Sequence, residues 1–372
     1  MQKKIKIGVI GAGHLGKYHI NHLSKHASIE FVGFFDSNLD SAAKVAKEFA
    51  VKNFEDMDDL ISTADALHIV TPTNFHHEIA IKCLQKNKDV FIEKPITSNT
   101  AQATEIIELA VSKECIVQVG HIERFNPTIN RLKDIVSEPH YIEIERLAPF
   151  QARGTEVPVV LDLMVHDIDL IISMVDSNIV DIHASGAKMM SETVDLAHAH
   201  IKFENGVVAN LKSSRIAQNY VRKIRTYQNN LYTITDLMIP QIEIYGLEKT
   251  SIFSDQCIEK AIDTASGAKD LFYEKIIPEK QDALLAEIND FIESINSRNA
   301  PKVDGKQGLQ ALEIALDIEI KLLVMAHKKI VLIAGEDSGD LHGAELIKAL
   351  KNMNTNYEFF GIGGEKMIDQ GS

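Results

Sequence analysis

The first 120 or so residues alternate two kinds of segment. Amphipathic stretches such as "SAAKVAKEFA" and "HHEIAIKCLQKN" separate short apolar runs. Those runs are "KIKIGVI", "IEFVGFF", "ALHIV", "DVFIEK" and "CIVQVG". Short apolar runs are typical of strands buried on both faces, and helices between such strands indicate parallel pairing. We therefore predict an α/β fold whose first domain, residues 1–121, is a doubly wound parallel sheet of the Rossmann type.

From about residue 140, apolar and polar positions alternate over longer segments. These segments are "HYIEIERLAPF", "IVDIHASGAKM", "LAHAHIKF", "VVANLKSS", "KIRTYQNNLYTITDL" and "QIEIYG". Two connections, "ENG" and "QNN", carry residues that tight hairpins favour. The pattern predicts an α+β domain over residues 122–326 with a large, mainly antiparallel open sheet. Two helices near residues 279–297 and 305–326 are expected to pack back on the first domain.

The segment "LDLMVHDIDLII", residues 161–172, carries a narrow polar stripe on an otherwise apolar helix. At about 100° per residue, Asp162, His166, Asp169 and Ser173 fall within roughly 60° of one another. One interpretation is a solvated helix face. Such faces are usually broad and rich in Lys and Glu, however, and this one has neither. We therefore expect Asp162 and His166 to line a cleft.

Composition and charge narrow the class of protein. The chain has 372 residues, 45% hydrophobic content and a formal net charge of −14, which favours a globular protein of two or three domains and argues against nucleic acid or an anionic membrane as a partner. Cys83, Cys115 and Cys257 form no CxxC pair, so neither a disulfide framework nor a metal site is expected, and a cytoplasmic location fits. No apolar stretch approaches the ~20 residues of a membrane span, and the apolar start runs into glycines instead of a signal-peptide cleavage site.

A glycine-rich segment, "GVIGAGHLGKYH", places Gly11, Gly13 and Gly16 as GxGxxG between a strand and a helix. This spacing permits a tight turn and close approach of a pyrophosphate to a helix N-terminus. Asp36, at the end of the next strand, can accept hydrogen bonds from the adenosine ribose and would repel the 2′-phosphate of NADP. The alternative for Asp36 is a turn or helix cap. We predict a dinucleotide site that prefers NAD.

The segment "FIEKPIT" adds Glu93, Lys94 and Pro95 at the end of a strand. Together with the glycine loop and the later D-x-x-x-H of Asp162 and His166, it resembles the Gfo/Idh/MocA family of oxidoreductases, which includes glucose-fructose oxidoreductase and inositol dehydrogenase. The resemblance covers residues 1 to about 326 and extends to "TPTNFHHEIA" and "VDGKQGLQAL". It implies an NAD-dependent dehydrogenase that oxidises a secondary alcohol.

The resemblance also implies roles for individual residues. Lys94 would polarise the substrate oxygen, His166 would transfer the proton, and Asp162 would orient both, although the sequence leaves open whether Lys94 or His166 is the base. Many family members have Gly where this chain has Met164, which indicates a differently shaped cleft. The residues expected to bind the cofactor are Gly11, Gly13, His14, Leu15, Gly16, Asp36, Ser37, Thr71, Pro72, Asn74, His77, Glu93 and Lys94.

Within the family, "GHIERFNP" and "DLMVHDIDL" look most like the branch that acts at C3 of UDP-N-acetylhexosamines. The resemblance implies oxidation of UDP-N-acetylglucosamine to its 3-keto form, followed by an aminotransferase, for a 2,3-diamino sugar of lipid A. Substrate contacts are expected from Arg124, Asn126 and Arg153, besides Asp162 and His166, and the two arginines could equally be salt-bridge partners. Other possibilities are oxidation of UDP-N-acetylglucosaminuronate or of another sugar or polyol, or a non-catalytic dinucleotide-binding regulator. A homodimer or homotetramer is expected through the exposed face of the antiparallel sheet.

The last segment, residues 327–372, begins a second strand, turn and helix pattern. Its "AGEDSGDLHGA" and "FFGIGGEKM" resemble the opening of lipid-A-disaccharide synthase, a two-domain glycosyltransferase. A fold of that kind needs a nucleotide-sugar domain as well. We therefore expect this tail to be a truncated, loosely attached appendage without transferase activity.

Overall fold

The protein was analysed as a computed structural model, which describes residues 4–152, 154–265, 267–324, 328–353 and 357–370. The first domain contains a five-stranded, fully parallel sheet. Its strands are β1 (Ile5–Ile10), β2 (Ile29–Phe35), β3 (Ala66–Ile69), β4 (Asp89–Glu93) and β5 (Val117–Gly120). They lie in the order β2-β1-β3-β4-β5, so the chain reverses direction across the sheet between β1 and β3. In open parallel sheets, ligands bind at the carboxyl ends of the strands at such a reversal.

Helices cover both faces of this sheet. They are α1 (His14–Lys25), α2 (Leu39–Phe49), α3 (Met57–Thr63), α4 (His76–Gln85) and α5 (Thr100–Ser112). Each face has its own apolar core, because the strand side chains are buried on both sides. The predicted doubly wound fold is confirmed.

The second sheet has nine strands and is mainly antiparallel, as predicted. Its strands are β6 (Tyr141–Leu147), β7 (Ile179–Ala187), β8 (Leu196–Phe203), β9 (Val208–Ser214), β10 (Val221–Gln228), β11 (Leu231–Asp236), β12 (Gln241–Gly246), β13 (Ile258–Thr264) and β14 (Gly267–Ile276). They lie in the order β13-β14-β12-β11-β10-β6-β9-β8-β7, with one parallel pair, β6 and β9. Both predicted hairpins form, and Gly206 and Asn230 supply the positive φ angles that their turns require.

Further helices close one face of this sheet and link it to the first domain. They are α6 (Pro127–Ile135), α7 (Val165–Met174), α8 (Ala283–Ser297) and α9 (Gly305–Val324). Helix α7 packs on the sheet with Ile168 and Ile171, whereas α8 buries Ile288 and Phe291 in the core of the first domain. The two domains therefore share helices, and the ends of β4 and α7 face each other between them.

The C-terminal residues form a small unit of their own. It comprises β15 (Lys328–Ile333), α10 (Asp337–Met353), β16 (Tyr357–Ile362) and α11 (Glu365–Asp369), with the two strands parallel. Ile347, Phe359 and Met367 form its core. Val331 and Ile333 on the outer side of β15 are 67% and 75% exposed. Two strands bury only one face of such a sheet, so this unit has a much smaller core than the others.

Candidate active site

A cavity of about 490 Å³ lies at the carboxyl ends of β1 and β3, where the strand order reverses. Gly11 turns the chain at φ +100°, and a Cβ there would collide with the carbonyl of Val70. A Cβ at Gly16 would collide with the carbonyl of Gly11, so this glycine allows helix α1 to pack closely on the loop. Gly13 has no atom within 4 Å of the position of a Cβ, so its backbone faces open space. The loop thus fits a pyrophosphate at the start of α1.

The carboxylate of Asp36 lies on the wall of this cavity and also organises the loop. It accepts hydrogen bonds from the backbone N–H groups of Ala12, at 2.7 Å, and Asn38, at 2.8 Å. The cap of α2 comes from Asn38, whose side chain accepts from the N–H of Ser41. Asp36 is therefore not the helix cap, and it fixes the glycine loop beside the place where an adenosine ribose would lie.

Nine of the thirteen residues expected to bind the cofactor fall into two groups. Those that line the cavity are Gly11, Gly13, Asp36, Ser37, Thr71 and Pro72. His14, Leu15 and Asn74 are exposed near its rim. Together these residues form a cleft with the shape and hydrogen-bonding groups that a dinucleotide needs.

Two adjacent histidines, His76 and His77, lie in different surroundings, and only His77 was expected to bind the cofactor. His77 contacts the exposed carboxylate of Glu105 at 2.8 Å. His76 is buried, and its two ring nitrogens contact the carbonyls of Thr71, at 2.8 Å, and Pro95, at 3.0 Å. It joins the loop after β3 to the turn that carries Lys94, so we assign to His76 the structural role at this site.

Lys94 reaches across the domain junction from the end of β4. Its Nζ donates a hydrogen bond to the backbone carbonyl of Asp162 at 2.7 Å, and the Asp162 carboxylate lies at 3.5 Å. The lysine side chain is only 15% exposed, whereas that of Asp162 is 44% exposed. The cation is therefore held at the floor of the cleft, with the carboxylate at its opening.

The helix that carries Asp162 and His166 begins with a π-helical turn, Val160–Met164, which continues into α7. Within it, the N–H of Val165 donates to the carbonyl of Val160, five residues earlier. A π turn widens the helix and changes which carbonyls are available to side chains. The Asp162 carbonyl that receives Lys94 belongs to this turn.

His166 lies one turn further along the helix and is half-buried. Burial lowers its pKa well below 6.5, and the positive charges of Lys94 and Arg146 lower it further. Its Nδ1 is buried and has no hydrogen-bond partner among the described residues, which leaves Nε2 as the ring nitrogen available to a substrate. The His121 ring lies edge-on, with ring centres 6.5 Å apart. A neutral imidazole of this kind is suited to accept a proton.

Asp167 and Asp169, the acidic residues of α7, are buried and not solvated. The polar stripe is therefore not simply a solvated helix face. Asp167 is fully buried and forms an ion pair with Arg146, which also contacts Glu123 at 3.0 Å. Asp169 is fully buried, and an oxygen of its carboxylate lies 3.1 Å from the Nε of Arg124. These pairs anchor the helix to the segment that links the domains.

Two of the residues expected to contact the substrate have partners within the protein. Arg124 is buried and lies against Asp169, which is the salt-bridge alternative that the sequence left open. The side chain of Asn126 caps α6 by accepting from the N–H of Thr128. Arg153 lies outside the described residues.

A buried polar cluster lies behind Lys94. The Glu93 carboxylate contacts Nε2 of His19 at 3.1 Å and accepts from the Lys94 N–H at 3.2 Å, while His19 contacts His68 through their Nδ1 atoms. Although burial alone would raise the pKa of Glu93, the hydrogen bond from His19 and the charge of Lys94 lower it. Glu93 therefore holds the Lys94 turn from inside the domain.

Glu287 on α8 belongs to the same buried region. It is fully buried, and neither of its carboxylate oxygens has a hydrogen-bond partner in the described part of the chain. Burial raises its pKa well above the usual value, and the negative charges of Glu93 and Asp169 raise it further. The neutral form of Glu287 is therefore favoured over the carboxylate more strongly than in an exposed glutamate.

A second cavity, of about 190 Å³, is lined by Asp162 and other residues of the second domain. Its wall includes Gln151, Tyr220 and Arg222, none of which the sequence patterns singled out. The only signal was indirect: "NYVRK" begins a strand whose alternation places Tyr220 and Arg222 on the same side. The described residues contain no cluster of His, Cys, Asp or Glu suited to a metal ion.

Comparisons with known proteins agree with this geometry. The family described as "Oxidoreductase family, NAD-binding Rossmann fold" matches residues 5–121, and "GFO/IDH/MocA C-terminal domain" matches residues 147–248. The chain belongs to the Gfo/Idh/MocA family. The prediction of an NAD-binding oxidoreductase is thereby confirmed.

Individual members of the Gfo/Idh/MocA family are similar over most of their length. The UDP-N-acetylglucosamine 3-dehydrogenase of Acidithiobacillus ferrooxidans is 34% identical over 318 residues, which are 85% of this chain and 96% of that protein. Its solved structure, 33% identical, superposes with a TM-score of 0.77 over 86% of this chain and 97% of that chain. The myo-inositol 2-dehydrogenase of Thermotoga maritima is 26% identical over 83% of this chain and 93% of its own length.

The C-terminal unit lies outside these matches. Residues 330–372 match the family described as "Lipid-A-disaccharide synthetase", in agreement with the predicted resemblance. Among the helices that the structure describes, none is long and apolar enough to cross a membrane.

Proposed function

We propose that the protein catalyses the NAD-dependent oxidation of the C3 hydroxyl of UDP-N-acetylglucosamine to a 3-keto sugar nucleotide. The observation that carries this proposal is the convergence of Lys94, Asp162 and His166 beside a dinucleotide cleft. The choice of substrate is supported by the 34% identity to a UDP-N-acetylglucosamine 3-dehydrogenase.

The site residues divide the work of alcohol oxidation. Bound NAD supplies the hydride acceptor. Lys94 places a positive charge beside the substrate oxygen and so stabilises the alkoxide that develops there. Nε2 of His166 accepts the hydroxyl proton, because its low pKa keeps the ring neutral in the resting enzyme. The Asp162 carbonyl holds Lys94 in place, and the Asp162 carboxylate lies where it can accept a hydrogen bond from the substrate.

The proposal is tested by turnover of the candidate substrate. The protein is incubated with NAD and UDP-N-acetylglucosamine, and an aminotransferase with glutamate removes the keto product. We expect an amino sugar nucleotide and NADH in equal amounts, both with the full chain and with a chain ending at Val324. UDP-N-acetylglucosaminuronate and myo-inositol serve as competing substrates. Faster turnover of either one, with none of UDP-N-acetylglucosamine, would transfer the assignment to that substrate.

The same assay distinguishes an enzyme from a dinucleotide-binding regulator. A regulator would bind NAD without needing a lysine close to a neutral imidazole. The contact of Lys94 with Asp162 and the effect of its charge on His166 therefore favour the enzyme. NAD binding without turnover of any of these alcohols would favour the regulator. In the proposed pathway the aminotransferase acts next and leads to a 2,3-diamino sugar for lipid A, and the match of residues 330–372 is consistent with that setting.

We also propose a homodimer or homotetramer that forms through the open face of the nine-stranded sheet. A row of tyrosines crosses five neighbouring strands on this face, with adjacent ring centres 4.7 to 5.7 Å apart, and Tyr227 within it is 38% exposed. The row consists of Tyr141, Tyr227, Tyr232, Tyr245 and Tyr273. Aromatic rows of this kind are well suited to the centre of an interface. Light scattering that gives the 41.4 kDa mass of one chain at micromolar concentration would contradict this assembly.

The three cysteines, Cys83, Cys115 and Cys257, are all free thiols. Free thiols of this kind fit a reducing compartment. We therefore propose a cytoplasmic location.

A further inference from the structure

The cavity beside Asp162 contains three arginines, and two of them are fully engaged by the protein. Arg146 binds Asp167 and Glu123. Arg215 binds Asp195 at 2.8 Å, donates to the carbonyl of Val157, and makes further contacts with nearby hydroxyl and carbonyl oxygens. Both are almost completely buried. Their positive charges are compensated and have little left to offer a ligand.

Arg222 differs from these two. Its side chain is 44% exposed, and its ion-pair contact within the described residues is a 3.6 Å approach of Nη1 to Glu123. That carboxylate is already held by Arg146 at 3.0 Å and by the amide of Asn126 at 3.1 Å. Most of the N–H donors of Arg222 therefore remain available on the cavity side.

Arg222 lies beside a second guanidinium group that is already paired. Arg222 on β10 lies directly opposite Arg146 on β6, so the two guanidinium groups share one face of the sheet. Arg146 is paired with both Asp167 and Glu123, whereas Arg222 approaches Glu123 at 3.6 Å. The exposed guanidinium group of Arg222 can therefore take an anion in the cavity as a further partner.

A second donor lies on the same wall. The amide of Gln151 donates to the hydroxyl of Tyr220 at 3.0 Å, which leaves the phenolic hydrogen of Tyr220 free to donate elsewhere. Tyr220 is half-exposed, and Asp162 lines the same cavity. An anionic group at Arg222 and Tyr220 would thus lie in a cavity that is also lined by Asp162, the hydrogen-bond partner of Lys94.

We propose that Arg222 and Tyr220 bind the diphosphate of the nucleotide-sugar substrate. This inference rests on the proposed function, because it assumes that the alcohol oxidised at Lys94 is carried by a nucleoside diphosphate. The planar guanidinium group suits two phosphate oxygens at once, and a phenol can donate to a third. The uridine and the sugar then extend to either side of this anchor, with the sugar towards His166.

The test uses the full chain with NADH bound and compares Arg222→Gln, Arg222→Lys and Tyr220→Phe with the wild type. Lys223→Gln is the matched control, because it removes the same charge from the next residue, on the opposite face of β10. Titration calorimetry measures the Kd of UDP and of uridine, and steady-state kinetics give the KM of UDP-N-acetylglucosamine and of NAD.

We expect Arg222→Gln to weaken UDP binding and raise the KM of UDP-N-acetylglucosamine by about tenfold or more, the usual effect of losing a charged hydrogen bond. Uridine binding and the KM of NAD should stay within twofold of the wild type. The UDP affinity of Arg222→Lys should lie between that of Arg222→Gln and that of the wild type, since an ammonium group keeps the charge but not the paired donors. Tyr220→Phe should weaken UDP binding by severalfold, and Lys223→Gln should behave as the wild type.

The outcomes separate this inference from the proposed function. A wild type that binds UDP through Arg222 but does not oxidise UDP-N-acetylglucosamine would support the anion site and contradict the proposed substrate. A wild type that does not bind UDP, or Arg222→Gln and Arg222→Lys proteins that keep UDP affinity within twofold, would overturn the inference. Equal loss of UDP and uridine binding in Arg222→Gln would also overturn it, because the effect would then not be specific to the diphosphate.

Discussion

The Nζ of Lys94 donates to the backbone carbonyl of Asp162 at 2.7 Å, whereas the Asp162 carboxylate lies 3.5 Å away. The shorter of the two contacts between Lys94 and Asp162 is therefore made to an atom that no side-chain substitution at residue 162 removes. Lys94 stays in place when the chemistry of the Asp162 side chain is changed. This geometry separates the contributions of the two residues to catalysis.

We accordingly expect Lys94→Ala to lower kcat by about 10² or more and Asp162→Asn to lower it less, because only the first change removes the charge beside the reacting oxygen. The Kd of NAD should remain within a few fold in both. Lys86→Ala, which removes a surface lysine paired with Asp58, is the control. Equal losses of kcat in Lys94→Ala and Asp162→Asn would show that the carboxylate, not the carbonyl contact, determines the activity.

The pH dependence should report the state of His166. Burial and the charge of Lys94 lower its pKa well below 6.5, so the ring stays neutral and able to accept a proton until the pH falls below that value. We expect kcat/KM to remain level from about pH 8 to 6.5 and to fall only at lower pH. His166→Ala should lower kcat by about 10² or more.

Lys94→Ala should raise the pKa of His166, because a positive charge near the ring is removed. Nitrogen NMR of the imidazole measures this pKa independently of the low activity of the variant. An acidic limb at or above pH 6.5 in the wild type, or an unchanged His166 pKa in Lys94→Ala, would contradict the proposed proton acceptor.

Asp36 should affect cofactor binding alone. Its carboxylate fixes the glycine loop through the N–H groups of Ala12 and Asn38, so Asp36→Ala should weaken NADH binding by about tenfold or more. The preference for NADH over NADPH should narrow, because the negative charge that opposes a 2′-phosphate is lost. Asp40→Ala, which removes an exposed carboxylate from the first turn of α2, should leave both affinities unchanged. Fluorescence titration with the two reduced dinucleotides decides between these outcomes.

Glu287 should make stability depend on pH. Its folded-state pKa lies well above 4.5, its ordinary value, so the folded protein keeps a proton that the unfolded chain releases. The stability from this group is fully present below about pH 4.5 and is lost as the pH rises through the folded-state pKa. Glu287→Gln cannot ionise, so its Tm should rise relative to that of the wild type as the pH increases from about 4.5 towards the folded-state pKa. Glu293→Gln, at an exposed position of the same helix, should show no such trend, and a Tm difference for Glu287→Gln that is constant with pH would contradict the raised pKa of Glu287.

Much of the fold follows from periodicity alone. The strands of the first domain are mostly apolar because both faces are covered, and β6 alternates because only one face is. The strands β13 and β14 were not predicted. All but two side chains of β13 are exposed, so its sequence carries no alternation that burial would impose. An edge strand of this kind is held by backbone pairing with its neighbour, which the amino-acid pattern does not record.

The site was predictable where one local motif determines the geometry. The glycine loop, Lys94 and the Asp162–His166 spacing are of this kind, since each is fixed by a single turn or helix. Residues whose roles depend on distant partners were not predictable. Arg124 pairs with Asp169 because α7 lies against the segment that links the domains. In the sequence, Glu287 resembles any polar residue of an amphipathic helix. Its buried position becomes evident only when α8 is packed against the first domain, near Glu93.

The proposed reaction is defined by the carbon of the sugar that is oxidised. The decisive measurement is the fate of deuterium when the protein acts on UDP-N-acetylglucosamine labelled at C3, with material labelled at C4 as the control. We predict that NADH from the C3-labelled substrate contains one deuterium by mass spectrometry, that its formation is slower than with unlabelled substrate, and that NADH from the C4-labelled substrate contains none. Deuterium in NADH from the C4-labelled substrate, or unlabelled NADH from both, would contradict oxidation at C3.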